Sequence, residues 1–313
     1  MRLIFLGTPD FAVPTLERII EAGHEVTAVY TQPDRPKGRG GALAAPPVKA
    51  AALRHGLAVA QPERIRRPEV AEALAAMKPD AMVVVGYVQI IPPGIIAIPP
   101  HGIINVHASL LPKYRGAAPL QWAVANGDTV TGVTTMRIDA GLDTGDILLQ
   151  CETPIGPQET AVELGARLSV MGADLLVETL DGFDRGVIVP RKQDSSLATL
   201  APILRKEDGC IDWRRSASDI YNRVRGFLPW PGQWTGFRGH LLRIWRVALA
   251  EGSFPGVPGA FMVRGRRLFV ACADGGGLEL LELQLEGRKR VSSEAFLNGQ
   301  RLEETELLGE LSQ

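Results

Sequence analysis

Apolar and polar positions alternate in blocks along the first half of the chain. Residues 2–6 (RLIFL) form a short apolar run that ends at Gly7-Thr8-Pro9-Asp10, which predicts a strand and its turn. Phe11, Leu16, Ile19 and Ile20 then recur at helical spacing up to Gly23. Residues 25–30 (EVTAVY) predict a second strand, followed by a long polar loop, TQPDRPKGRGGALAAPP. Residues 48–55 predict a helix, 58–61 a short extended piece and 68–77 another helix. Residues 81–85 and 103–106 are continuous apolar strands, 131–137 and 147–152 add two more, and 160–180 read as one long amphipathic helix. Continuous apolar strands joined by helices require a sheet covered on both faces, which is the α/β class with an open, Rossmann-like, mostly parallel sheet.

The pattern changes after about residue 190. Residues 190–208 are polar and irregular, as a linker is. A short helix over 216–224 is followed by short strand candidates broken by Gly and Pro, which predicts a small antiparallel barrel. The expected organisation is a first domain over 1–189, a linker over 190–208 and a second domain over 209–313.

Composition narrows the class. The chain has 313 residues, 45% apolar and 22% charged, which suits two soluble domains with sizeable cores. A mean hydropathy of +0.05 excludes a multi-span membrane protein. Residues 81–98 are the most apolar stretch, but Gln89 and Pro92-Pro93-Gly94 interrupt it. The apolar run at the start is too short for a signal peptide. Three cysteines with no CxxC encode neither a disulfide framework nor a zinc site, so no metal is expected and a reducing cytoplasm fits. The formal charge is −1, yet its distribution is uneven: residues 1–189 carry 16 basic and 20 acidic side chains, residues 190–290 carry 17 and 10. A basic barrel with Trp213, Trp230, Trp234 and Trp245 suits a polynucleotide, and it equally suits a barrel with a tryptophan core and scattered arginines.

Three segments could carry chemistry. Gly7-Thr8-Pro9-Asp10 contains neither a GxGxxG nor a P-loop pattern, which argues against a dinucleotide oxidoreductase. In Asn105-Val106-His107-Ala108-Ser109-Leu110-Leu111-Pro112, strand alternation sends Asn105 and His107 to one side, near the carboxyl end where open α/β sheets bind ligands. An amide donor beside a titratable ring can polarise a carbonyl and manage a proton. In Asp139-Ala140-Gly141-Leu142-Asp143-Thr144-Gly145-Asp146, a loop can return a carboxylate to that histidine; the spacing does not fit an EF-hand, and a plain hairpin turn is the alternative.

NVHASLLPKYRGAAPLQWA, GLDTGDIL, TQPDRPKGRG and LPWPGQWT together resemble the signatures of the methionyl-tRNA formyltransferase family over almost the whole chain. The resemblance implies a formyltransferase fold followed by an OB-like β-barrel, with 10-formyltetrahydrofolate as co-substrate and charged initiator tRNA as acceptor. It implies a catalytic trio of Asn105, His107 and Asp143. It places Ser109, Leu110, Leu111 and Pro112 along the folate, and Gly86, Tyr87, Val88, Gln89, Ile90 and Ile91 around its pterin ring. Arg39 would stand near the acceptor end of the tRNA, with Arg35 and Lys37 adding phosphate contacts, because Gly41-Ala42-Leu43-Ala44-Ala45 supplies no further lysine. A monomer is the default. The alternatives are a formyltransferase acting on a small amine such as an amino sugar nucleotide, a hydrolase releasing formate from the same folate, and a non-catalytic RNA-binding protein on the same fold.

Overall fold

The computed structural model describes residues 1–37, 42–300, 302 and 306–309. The chain opens with β1 (Arg2–Gly7), α1 (Val13–Glu21), β2 (Glu25–Tyr30), β3 (Arg35–Lys37), β4 (Ala42–Ala44) and α2 (Pro47–Arg54). It continues with β5 (Val59–Ala60), α3 (Pro68–Ala76), β6 (Ala81–Val85), α4 (Pro93–Ile96), β7 (Ile103–His107), β8 (Arg115–Gly116) and α5 (Pro119–Ala125). Then come β9 (Val130–Arg137), β10 (Ile147–Pro154), α6 (Ala161–Asp184), β11 (Leu200–Ala201) and α7 (Ala217–Gly226). The last elements are β12 (Gln233–Phe237), β13 (His240–Ala250), β14 (Phe261–Arg264), β15 (Arg267–Ala271), β16 (Gly277–Leu285), β17 (Val291–Ser292) and α8 (Ser293–Gly299). Two units form: residues 1–119, 130–154 and 165–201 make one, and 120–129, 155–164 and 202–313 the other.

The first unit is built on a seven-stranded sheet in the order β10-β9-β7-β6-β1-β2-β5. The five strands from β7 to β5 are parallel; β9 runs antiparallel to β7, and β10 antiparallel to β9. Chain order reverses between β1 and β6, which opens a crevice at the carboxyl ends of those strands. One face carries Ile4, Leu6, Tyr30, Met82, Val84 and Ile103, covered by Leu74 of α3 and Ile95 of α4. On the opposite face α6 lies directly on the sheet at Gly172. A Cβ there would come 2.7 Å from Val106, so only glycine allows this approach.

The loop expected after β2 contains a small hairpin, β3 with β4. Its base is held by Asp34, which accepts from Lys49 Nζ and Gln61 Nε2 at 2.7 Å each. Those partners lie 15 and 27 residues away, so local composition did not announce the hairpin.

The second unit carries an antiparallel sheet in the order β12-β13-β16-β15-β14, with β17 on β16. The expected barrel is not closed among the described residues. Single bridges join Gly309 to Gly236 and Leu307 to Ala260. The core gathers Trp213, Ile220, Val224, Leu242, Leu268, Val270, Cys272, Leu280 and Leu283. Burial, with Asp274 nearby, pushes the Cys272 thiol up to about 12. Cys272 is therefore expected to react with a thiol reagent only after denaturation; labelling of Cys272 in the native protein would contradict this packing. Among the described residues no helix is long and apolar enough to cross a membrane.

Candidate active site

β7 ends on His107, one residue beyond the expected strand, and its pleat decides the site. Val106 points to Gly172 of α6, so Asn105 and His107 point the other way. His107 is buried, and its Nε2 lies 2.9 Å from the Tyr114 carbonyl oxygen. A carbonyl only accepts, so Nε2 carries a proton and Nδ1 is the nitrogen left for chemistry. Nδ1 faces Asp143 Oδ2 at 3.8 Å. Asn105 is half-buried, and its carboxamide makes no hydrogen bond to another described residue. The structure thus brings the ring and the acid of the expected trio face to face, 36 residues apart in the chain.

Asp143 arrives on the turn between the antiparallel strands β9 and β10, so the loop is also the hairpin turn that the sequence allowed. The residue sits at φ +50°, in the left-handed region. Its Oδ2 accepts from the Gly116 N–H at 2.9 Å. The turn is knotted on itself: Asp139 Oδ1 accepts from Gly141 N–H at 3.0 Å and from Thr144 Oγ1 at 2.7 Å. Gly145 lies flat on the end of β9, where a Cβ would meet the Arg137 carbonyl oxygen at 1.9 Å. Gln193 Nε2 donates to the carbonyls of Asp143 and Gly145, both at 2.8 Å. Its Oε1 accepts from Nε and Nη2 of the buried Arg115, at 3.0 and 2.8 Å. Sequence reasoning missed both residues. Arg115 stands inside the quoted motif and could have been found; nothing around Gln193 marks it.

The residues expected along the folate divide. Ser109 is fully buried and its hydroxyl donates to the Lys113 carbonyl at 2.6 Å. Leu111 packs inward against Met136 and Ile147. Thr134, also missed, pins this turn: its hydroxyl donates to Ser109 O at 2.7 Å and accepts from Leu111 N–H at 3.1 Å. Leu110 and Pro112 stay half-exposed. In the segment after β6, Tyr87 and Ile91 turn into the core while Val88 and Ile90 are exposed. Gly86 and Val88 adopt φ +58° and +67°. Gln89 is tied down, accepting from Ile65 N–H at 2.7 Å. The N–H groups of Val88, Gln89 and Ile90 donate to no other described residue. Burial, reinforced by Tyr30, raises the Tyr87 phenol well above its ordinary value, so it stays neutral.

Of the residues expected on RNA, Arg35 is exposed on β3, within 4.0 Å of Glu63. Lys37 closes the same strand, and Arg39 lies outside the described residues. In the second unit Trp213 is core, its Nε1 donating to Thr235 Oγ1 at 3.1 Å, whereas Trp230 is 54% exposed. Several of its arginines are balanced by carboxylates, including Arg267 by Glu279 and Arg266 by Glu294. Among the described residues no group of three His, Cys, Asp or Glu could hold a metal ion.

Residues 1–180 match the formyl transferase family model and residues 203–301 that of the formyl transferase C-terminal domain. The methionyl-tRNA formyltransferase of Solibacter usitatus is 63% identical over 310 residues, covering 99% of both chains. The N-formyltransferase of Helicobacter canadensis, solved with folinic acid and dTDP-3-aminofucose, shares the fold at a TM-score of 0.65 and 18% identity, over 89% of this chain and 98% of that one. HypX of Aquifex aeolicus with tetrahydrofolic acid does so at 0.64 and 17%, over 95% of this chain, which spans about half of HypX (47%). By the match of both family models and an identity sustained end to end, the chain belongs to the formyl transferase family, among the methionyl-tRNA formyltransferases.

Proposed function

We propose that the protein transfers the formyl group of 10-formyltetrahydrofolate to the α-amino group of methionyl initiator tRNA, in the cytoplasm and as a monomer, to start translation. The observation that carries the reading is the free Asn105 carboxamide on the same side of β7 as an imidazole that faces a carboxylate. The acceptor brings its own nucleophile. A free α-amine titrates near ~8, and the ester link to tRNA lowers that further, so neutral amine is present at pH 7. Attack on the formyl carbon makes a tetrahedral oxyanion. Donation from Asn105 Nδ2 to that oxygen is a contribution of ~3–4 kcal/mol. With Nε2 tied to Tyr114, His107 works through Nδ1: it takes the proton the attacking amine sheds, donates to the oxyanion while Asp143 balances its charge, and returns the proton to N10 as the carbon–N10 bond breaks and tetrahydrofolate leaves.

The remaining roles follow the same reading. Leu110, Pro112 and the segment from Gly86 to Ile91 hold the folate, and the unused N–H groups of Val88, Gln89 and Ile90 suit the polar edge of a pterin. Arg35, Lys37 and Arg39 meet phosphates near the acceptor end. Residues 1–189 perform the transfer. Residues 209–313, read as an OB-like barrel whose last strand is the 307–309 segment, dock the RNA body by phosphate contacts and stacking, with Trp230 exposed for the latter. A transfer assay with competing acceptors tests this. Radiolabelled formyl is expected on methionyl initiator tRNA, and neither on uncharged tRNA nor on an amino sugar nucleotide. Preferential labelling of the sugar, or formate release at the same rate without acceptor, would replace the reading with a small-amine transferase or a hydrolase.

A further inference from the structure

Residues 191–201 run as a strap over the first unit. Arg191 exchanges both backbone hydrogen bonds with Ile147, at 2.8 Å each. Thr199 accepts from the Arg115 N–H through its carbonyl and from the Tyr114 N–H through Oγ1, again at 2.8 Å. β11 then pairs with β8. Gln193 stands in the middle of the strap, and both ends of its amide are engaged. The guanidinium of Arg115 has donors only, so the amide oxygen must face it. The amide nitrogen is thereby aimed at the carbonyls of Asp143 and Gly145. Arg115 thus decides which way Gln193 points.

Asp143 needs such support. A non-glycine residue in the left-handed region is strained by about 1 kcal/mol or more and persists only where its surroundings hold it. Here its backbone carbonyl is held by Gln193 and its carboxylate by the Gly116 N–H. With both ends of the residue held, the carboxylate cannot swing away from His107 Nδ1. We propose that Gln193, oriented by Arg115, is a positioning residue for formyl transfer: it locks the backbone of Asp143 and so sets the spacing of carboxylate and imidazole. The proposal rests on the reading of Asp143 as the acidic partner of His107.

A double-mutant cycle tests both and tells them apart. kcat and both KM values are measured for Gln193→Met, Asp143→Asn and the double variant. Gln193→Met is expected to lower kcat about 10-fold to 100-fold, the scale of a small misplacement of a reacting group, with the folate KM nearly unchanged. In the Asp143→Asn background the same substitution should cost no more than about twofold, because coupled residues are not additive. Gln193→Glu, which keeps the acceptor for Arg115 but sets a carboxylate against two carbonyls, should fall at least as far as Gln193→Met. Wild-type kcat in Gln193→Met, or an equal loss in both backgrounds, overturns the proposal. Wild-type kcat in Asp143→Asn overturns the reading beneath it. If Gln193→Met does not fold, Arg115→Lys, which keeps the charge but loses the fork, takes its place in the cycle under the same two outcomes.

Discussion

Asn105→Ala is expected to lower kcat by about 10²- to 10³-fold and to leave the folate KM within about threefold, as removal of a single oxyanion donor does. The size of the effect follows from what the carboxamide does in the resting protein, which is nothing: it bonds to no other described residue. Truncation orphans no neighbour and leaves a half-exposed position on a well-held strand, so thermal stability should change by about 0.5 kcal/mol or less. Loss of turnover without loss of stability or of folate affinity is the signature of a group used only when charge develops. His107→Ala offers no such clean separation, because the ring also closes the turn through Tyr114. Steady-state kinetics with charged tRNA and a melting curve decide the matter; wild-type turnover in Asn105→Ala would remove the residue from the chemistry.

Gly145→Ala is expected to remove most activity through geometry alone. The added methyl would lie 1.9 Å from a backbone oxygen of β9, and a backbone oxygen cannot rotate aside as a side chain can. The turn must lift, which breaks the hydrogen bond from Arg137 N–H to Asp146 O, now 2.9 Å. Overpacking of this kind costs about 1–3 kcal/mol of stability. It also carries Asp143 away from Gly116 and His107, and a shift of about 1 Å in a reacting group costs on the order of 100-fold in rate. Activity per folded molecule, with folding measured by circular dichroism, separates the two losses. Full activity in the folded variant would mean that the acid's position is not critical.

The parts that could be read in the sequence are those written in local pattern. The parallel strands, α1, α3 and the long α6 follow the apolar periodicity of residues 2–30 and 68–180, and the pairing of Asn105 with His107 needs only strand alternation. The rest depends on partners distant along the chain. The β3–β4 hairpin owes its base to Lys49 and Gln61. The strap over 191–201 is held by β8, by Ile147 and by the turn that carries Asp143; alone it looks like polar linker. That the sheet of β12 to β16 is not closed among the described residues depends on which strands pair over long distances, which short strands between glycines do not encode. Within the expected folate segments, alternation could have told inward from outward side chains, but it could not tell that Ser109 and Leu111 turn inward at a bend beyond the last paired strand residue.

The strap has one more consequence. β10 is the outermost strand of its sheet and eight residues long, and such a margin invites a second polypeptide to pair with it. Arg191 occupies the N–H and carbonyl of Ile147 at one end, and Glu152 and Pro154 stand at the other. A fragment cut before Arg191 would free the N–H and carbonyl of Ile147 on that margin, so a shortened chain that keeps this sheet is better ended after Ala201 than before Arg191.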